Sequence, residues 1–329
     1  VALPFFIFSM TTIIGIDISQ AQRILIDKGL VAIPTETVYG LAGNALDARA
    51  VAQIFEVKNR PSFDPLIVHT HTIADLEKWV VSIPDRAYRL FEAFSPGPLT
   101  ILLPKNPIIP DLVTAGLPKV AIRIPKHPMT LELLRGLDFP LAAPSANPFG
   151  YISPTSAQHV AHQLSEKIPY ILDGGSCRVG LESTIIGFED EDCIVYRLGG
   201  LSIEDLEQVV GSVQLQLNQS SNPSAPGMLK SHYAPRKPFR LGQIAEMLQH
   251  TEGGQRIGIL SLKTGYDDAR IGATEWLSEK GDMLEAAQNL FAAMRRLDAA
   301  EIDLILAETM PEQGLGKAIN DRMKRAAAL

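Results

Sequence analysis

Short apolar runs alternate with segments of helical period through the first two thirds of this chain. Leu30 to Ile33, stopped by Pro34, has the length and composition of a strand covered on both faces, and Leu66 to His69, Leu99 to Leu103, Val120 to Ile124 and Leu141 to Ala143 repeat the pattern. Between them, helical spacing predicts a helix capped by Ser19 that runs through Asp27 and ends at Gly29. Another is capped by Asp47 and carries Val51, Ile54 and Phe55, and further helices are predicted over Ile73 to Val80, Asp85 to Phe94, Met129 to Leu134 and Ser156 to Leu164. Thr184 to Phe188 and Ile194 to Leu198 flank an acidic turn at Glu189 to Asp192 and read as a hairpin. The expected class is therefore α/β with a mixed sheet, whose strand order the alternation does not give.

The period fails between Asn218 and Pro238, where NQSSNPSAPGMLKSHYAPRKP has the composition of a linker. Beyond it, Arg256 to Leu260 and Leu304 to Ala307 are strand candidates, and Leu284 to Leu297 and Lys317 to Ala327 are amphipathic helices. These elements predict a second, smaller three-layer α/β unit over 239–329. The stretch Gly314 to Asp321, GLGKAIND, lacks the third glycine of a dinucleotide fingerprint and the spacing of a P-loop, so it is read as loop geometry.

Composition narrows the function classes. The chain of 329 residues is 46% hydrophobic and carries a formal charge of −7, with 16 basic and 23 acidic residues before Gly211 and 14 of each from it onward. Neither part is a basic nucleic-acid binder by bulk charge, which leaves room for a local cationic cleft suited to a small polyanion. Cys177 and Cys193 have no His or Cys neighbours at ligand spacing and are expected to be ordinary thiols in a cytoplasmic protein. Val1 to Met10 is apolar but lacks a basic flank and a cleavage pattern, so residues 1–9 are expected to be a disordered extension before a start at Met10. No apolar run approaches the ~20 residues that cross a bilayer.

The candidate chemistry gathers at a few loops. Thr35-Glu36-Thr37 leaves the first strand, and Lys58-Asn59-Arg60 follows the helix after Asp47, where its cations would at least complement the helix dipole. Ser145 and Asn147 lie between Pro144 and Pro148, which stiffen their loop. Arg123 and Arg197 sit in otherwise apolar strands and so require an anionic partner, either an internal carboxylate or a ligand. Neither Glu36 nor Glu182 has the spacing of a paired-carboxylate hydrolase, and no G-x-S-x-G elbow accompanies the seven histidines.

Together PTETVYG, KNRP, PLIVH and APSAN resemble the YrdC-like domain of the threonylcarbamoyl-AMP synthases, whose signature is a Lys-x-Arg pair and a Ser-x-Asn pair facing one cleft. SAPGMLKSHYAP resembles the linker of the two-domain members, which folds back over the active site, and GLGKAINDRMKRAA resembles the end of their Rossmann-like domain. The resemblance implies a catalytic unit over 10–217 with a twisted mixed sheet, and a linker and lid over 218–238. It implies ATP, entering with Mg2+, bound by Lys58, Arg60, Asp64, Lys119, Ser145, Asn147, Ser153, Arg197, His232 and Tyr233, with Lys58 and Arg60 as the catalytic charge clamp. L-Threonine would meet Thr35, His69, Arg123, Ala143 and Ser183. The third substrate would be bicarbonate or CO2, and the product would pass to the proteins that transfer threonylcarbamoyl to tRNA, with no membrane association and no strong direct tRNA binding. An RNA-binding or ribosome-associated role is the alternative. A carbamoyl-transfer subdomain of the hydrogenase-maturation type would want Cys clusters that this chain lacks.

Overall fold

The structure is a computed structural model that describes residues 11–190, 192–217 and 232–328. Among these, an eleven-stranded mixed sheet forms the larger unit. From edge to edge it runs Ile13–Gly15, Tyr170–Leu172, Val31–Ile33, Gly40–Asn44, Leu141–Ala142, Ile67–His69, Lys119–Arg123, Leu99–Pro104, Thr184–Glu189, Asp192–Arg197 and Gln214–Leu215. The expected hairpin is present, with Thr184–Glu189 antiparallel to Asp192–Arg197 and Asp190 at positive φ in its turn. Helices Ala48–Lys58, Asp85–Phe94 and Ala157–Leu164 pack on one face through Val51, Ile54, Leu90, Phe91, Val160 and Leu164. Ile18–Ile26 and Pro128–Arg135 cover part of the other face through Ala21, Leu25, Leu133 and Leu134.

The rest of that second face differs. Ile67, Leu102, Ala121, Ile185, Ile194 and Tyr196 form a separate apolar cluster that contains no helical residue. Side chains alternate across a strand, so residues two positions on share this face. His69 follows Ile67, Arg123 follows Ala121, and Thr100 and Ser183 precede Leu102 and Ile185 in the same way. A functional surface is thus built on the part of the sheet that no helix covers.

The smaller sheet is wholly parallel, in the order Phe239–Gly242, Leu304–Glu308, Ile257–Ser261, Ile271–Trp276. Ile244–His250 covers one face with Ile244 and Leu248. Met283–Ala299 and Leu315–Ala326 cover the other and turn their remaining apolar surface to the larger unit. One continuous cluster of buried residues runs from Leu41 and Leu181 through Tyr233 and Phe291 to Met323. The approach is close at Gly180, where φ is +77° and an added Cβ would lie 2.5 Å from the Ala287 carbonyl oxygen. Tyr151 donates to Asp298 (2.6 Å), and Arg295 donates to the Ile152 and Ser153 carbonyls across the same border.

Several expectations need correction. Asp17, not Ser19, caps the first helix by accepting from the Gln20 amide. Ile73 to Val80 divides into a 3-10 turn, Ile73–Asp75, and a single α turn, Leu76–Trp79. Strands Gly40–Asn44, Tyr170–Leu172, Phe239–Gly242 and Ile271–Trp276 were not expected. The expected N-terminal extension and residues 218–231 of the linker lie outside the described residues.

Candidate active site

A cleft of about 560 Å³, counting the space open to solvent at its mouth, lies over the uncovered face. Thr35, Arg60, His69, Arg123, Ala143, Ser145, Arg197, His232 and Tyr233, all expected at the site, line it together with Val38, Gly40, Pro65, Ile67, Pro144 and Glu182.

Lys58 does more than complement the dipole of its helix. Asn59 caps the helix in the left-handed conformation, and Lys58 is buried, with Nζ donating to the Ser145 and Asn147 carbonyls, both at 2.5 Å. The Lys-x-Arg and Ser-x-Asn segments are thereby one assembly. Burial, and next the neighbouring Arg60 charge, push the Lys58 ammonium well below its ordinary range, and an anion placed beside it would favour the charged form. Arg60 is also buried, paired with Asp64 at 2.9 Å and donating to the Pro65 carbonyl at 2.8 Å. Asp64 therefore orients the cation from behind and does not line the cleft. Asn147 likewise turns away, its Nδ2 donating to the Pro148 and Tyr151 carbonyls, while its buried Oδ1 has no hydrogen-bond partner among the described residues.

Arg123 meets Glu36 at 2.7 Å, and the Lys126 amide donates to the other Glu36 oxygen at 2.8 Å. The internal carboxylate that a strand arginine requires is thus present, and Arg123 still lines the cleft. The Thr35 hydroxyl accepts from the Thr37 and Val38 amides and donates to the Val38 carbonyl, which closes the Thr-Glu-Thr turn. Ser183 lies behind the lining, its hydroxyl bonded to Thr100 (2.7 Å) and to Arg197 Nη2 (3.0 Å). A register shift between Val195 and Arg197 sets Arg197 apart from the regular ladder, as a bulge re-aims a side chain. Ser153 donates to Glu182 at 2.5 Å and so supports the cleft wall without forming it.

Lys119 is not brought to the cleft. It shares the face of Arg123 but stands four residues earlier, roughly 13 Å along the strand, where its ammonium holds the Phe188 carbonyl at 2.9 Å.

His232 and Tyr233, in the described end of the expected linker, line the cleft. Tyr233 has φ of +63°, unusual for a bulky residue, and stacks on Phe291 with centroids 5.6 Å apart. His232 packs edge-on to Phe149, and burial followed by Arg60, Lys58, Arg322 and Arg325 holds its imidazole far below the ordinary range. A neutral ring is therefore surrounded by basic side chains from both units.

The comparisons with known proteins agree along the length of the chain. Residues 23–199 match the Sua5/YciO/YrdC family model, described as telomere recombination, and residues 201–328 match the model described as threonylcarbamoyl-AMP synthase, C-terminal domain. The threonylcarbamoyl-AMP synthase of Bacillus subtilis is 40% identical over 94% of this chain and 92% of its own length. The chain belongs to the threonylcarbamoyl-AMP synthase family. The synthase of Pyrococcus abyssi is 41% identical over 91% of this chain and 90% of its own length. The crystal structure of P. abyssi Sua5 complexed with L-threonine has a TM-score of 0.88 at 38% identity, covering 96% of this chain and 97% of that one.

The sequence assigns no role to four charged side chains of the site, although the family motifs contain three of them. Glu36 and Glu182 stood in plain view, but their role as carboxylate partners of buried arginines depends on contacts that no local spacing encodes. Arg322 and Arg325, on the last helix, are buried near Tyr233 and His232. Only the family-like ending of the chain hinted at them.

Burial also gives the site a pH signature. Desolvation, and then Arg123, lower His69 from 6.5 to about 3. Below pH 6.5 the unfolded chain takes up a proton that folded His69 refuses, so stability is lost as pH falls toward 3, by up to about 1.4 kcal/mol per pH unit. Unfolding midpoints measured from pH 7 to pH 5 are expected to fall, and more shallowly in His69→Gln. Equal slopes in the two proteins would mean that His69 titrates normally in the folded state.

Proposed function

We infer that this chain makes threonylcarbamoyl-AMP from L-threonine, bicarbonate or CO2, and ATP, with release of pyrophosphate. The observation that carries the reading is a charge imbalance. Lys58, Arg60, Arg123, Arg197, Arg322 and Arg325 are buried around the cleft, against the carboxylates of Glu36, Asp64, Glu182 and Asp321. Basic groups in excess of acids, held out of water, favour a polyanionic ligand. These cations are interior, whereas an RNA-binding face would present them on the surface.

In the proposed reaction the neutral threonine amine adds to CO2 and releases a proton to solvent, leaving a carbamate anion. Its oxygen attacks the α-phosphorus as the bond to pyrophosphate breaks. Arg60 and Arg197 would neutralise the phosphates, Lys58 would hold the Ser145 to Asn147 loop against them, and Arg123 would face the threonine carboxylate. No group on the protein needs to bond to the substrate, so positioning and charge stabilisation supply the catalysis. Val38, Pro65 and Ile67 give the cleft an apolar wall that limits hydrolysis of the mixed anhydride. Mg2+ would arrive with the triphosphate as part of the substrate; no group of three or more His, Cys, Asp or Glu suited to a metal stands among the described residues. We place the reaction in the cytosol, upstream of threonylcarbamoyl transfer to tRNA. No helix among the described residues is long and apolar enough to cross a membrane.

Pyrophosphate release measured with each substrate omitted in turn tests the reading. Release is expected only when ATP, L-threonine and bicarbonate are present together, with L-serine a poor substitute. Equal release with L-serine, or without bicarbonate, would count against the assignment.

A further inference from the structure

The last helix, Leu315–Ala326, places a fully buried arginine behind the wall of a cleft in the other unit. Arg322 Nε donates to Glu182 Oε2 at 2.7 Å, Nη2 to the Leu198 carbonyl at 2.7 Å and Nη1 to Asp321 at 2.7 Å. Its guanidinium also lies 4.9 Å from the Tyr233 ring centroid. Three hydrogen bonds and a ring face thus fix one planar cation.

Glu182 gives this contact its meaning. It lines the cleft, and its other oxygen accepts from Ser153. A carboxylate at the wall of a triphosphate site repels the ligand unless a cation cancels it, and in a poorly solvated wall the repulsion is strong. Arg322 lies directly behind Glu182, where it can cancel that charge without occupying the cleft. Arg197, another basic group near this wall, also feels the Glu182 charge, but its Nε and Nη2 donate to Ser183, whereas Arg322 donates directly to the carboxylate.

We propose that Arg322 is a positioning residue of the nucleotide site that acts through Glu182, so that the C-terminal unit is a working part of ATP binding. The proposal rests on the ATP-dependent reading above. It goes further by assigning a role to a residue 140 positions from Glu182 that does not line the cleft. Removing Arg322 would leave Glu182 buried, charged and facing the phosphates. Removing the carboxylate as well would relieve the repulsion.

The experiment compares the full-length chain with Arg322→Met and with the double variant Arg322→Met/Glu182→Gln. Affinity for ATP is measured by calorimetric titration in the presence of L-threonine, without bicarbonate. Irreversibly misfolded protein lowers the number of sites found and leaves the dissociation constant unchanged. Urea unfolding of each variant gives the folded fraction by which a reversible loss of structure would weaken the apparent constant, so the corrected constant separates a binding role from a purely structural one. Arg322→Met is expected to weaken ATP binding about tenfold or more, the scale of one lost interaction with a charged group. The double variant should return to within about threefold of the parent by the same reasoning. A single variant that binds ATP as the parent does would overturn the proposal, as would a double variant as weak as the single one. ATP binding is read without turnover, so these outcomes are independent of the pyrophosphate test, which bears on the reaction itself.

Discussion

Lys58→Met is expected to lower pyrophosphate release by at least about a hundredfold, the scale of losing a preorganised charge contact, and also to destabilise the fold. The second effect follows from burial. The Lys58 ammonium holds the Ser145 and Asn147 carbonyls, and an apolar side chain would strip the buried Asn147 carbonyl of its donor and leave the Ser145 carbonyl with the Asn147 amide alone. A cost of about 1–3 kcal/mol is the usual scale for such a loss. Urea unfolding and single-turnover assays on the same preparation separate the two effects. A variant with parental stability would show that the strap between the helix end and the proline-bounded loop is dispensable.

Arg123→Met should be nearly as damaging, for a different reason. It strands Glu36 in a site where both partners of the pair are almost fully buried, and breaking such a pair by removing one partner costs about 3–5 kcal/mol. Replacing Glu36 with glutamine in the same chain should recover much of that stability without recovering use of L-threonine, because the proposed anchor for the substrate carboxylate is still missing. Activity measured across threonine concentrations tests this. Restored threonine use in the double variant would confine Arg123 to a structural role.

Much of this organisation was legible because strands and chemistry coincide. Leu66 to His69 and Val120 to Ile124 are apolar runs interrupted by one polar residue each, and those residues, His69 and Arg123, pair across adjacent parallel strands. Gly40–Asn44 was hidden because its two glycines dilute the apolar signal, although its strand pairs with the Leu141–Ala142 segment that leads into the Ser145 loop. Ile271–Trp276 was hidden because Gly, Thr and Glu fill a strand whose residues alternate between partly buried and exposed at the edge of its sheet. Lys58 was found but misplaced, since a cation at a helix end looks the same in sequence whether its chain turns outward or, as Asn59 makes it do, back under a neighbouring loop. Arg322 could not be located at all from local pattern. Its partners, Glu182 and Leu198, are distant in the chain, and on a predicted amphipathic helix a basic residue reads as solvent-facing.

The apolar cluster that runs from Leu41 to Met323 also bears on how the molecule comes apart. Phe291 and Met294 find part of their packing against the larger unit, and Tyr39 and Leu181 belong to the same buried mass. Cutting the chain at the linker would therefore not release two finished bodies; each would carry a newly wetted apolar face. Heat would likewise meet one cooperative structure, in which the segment that lines the cleft is anchored inside the shared core.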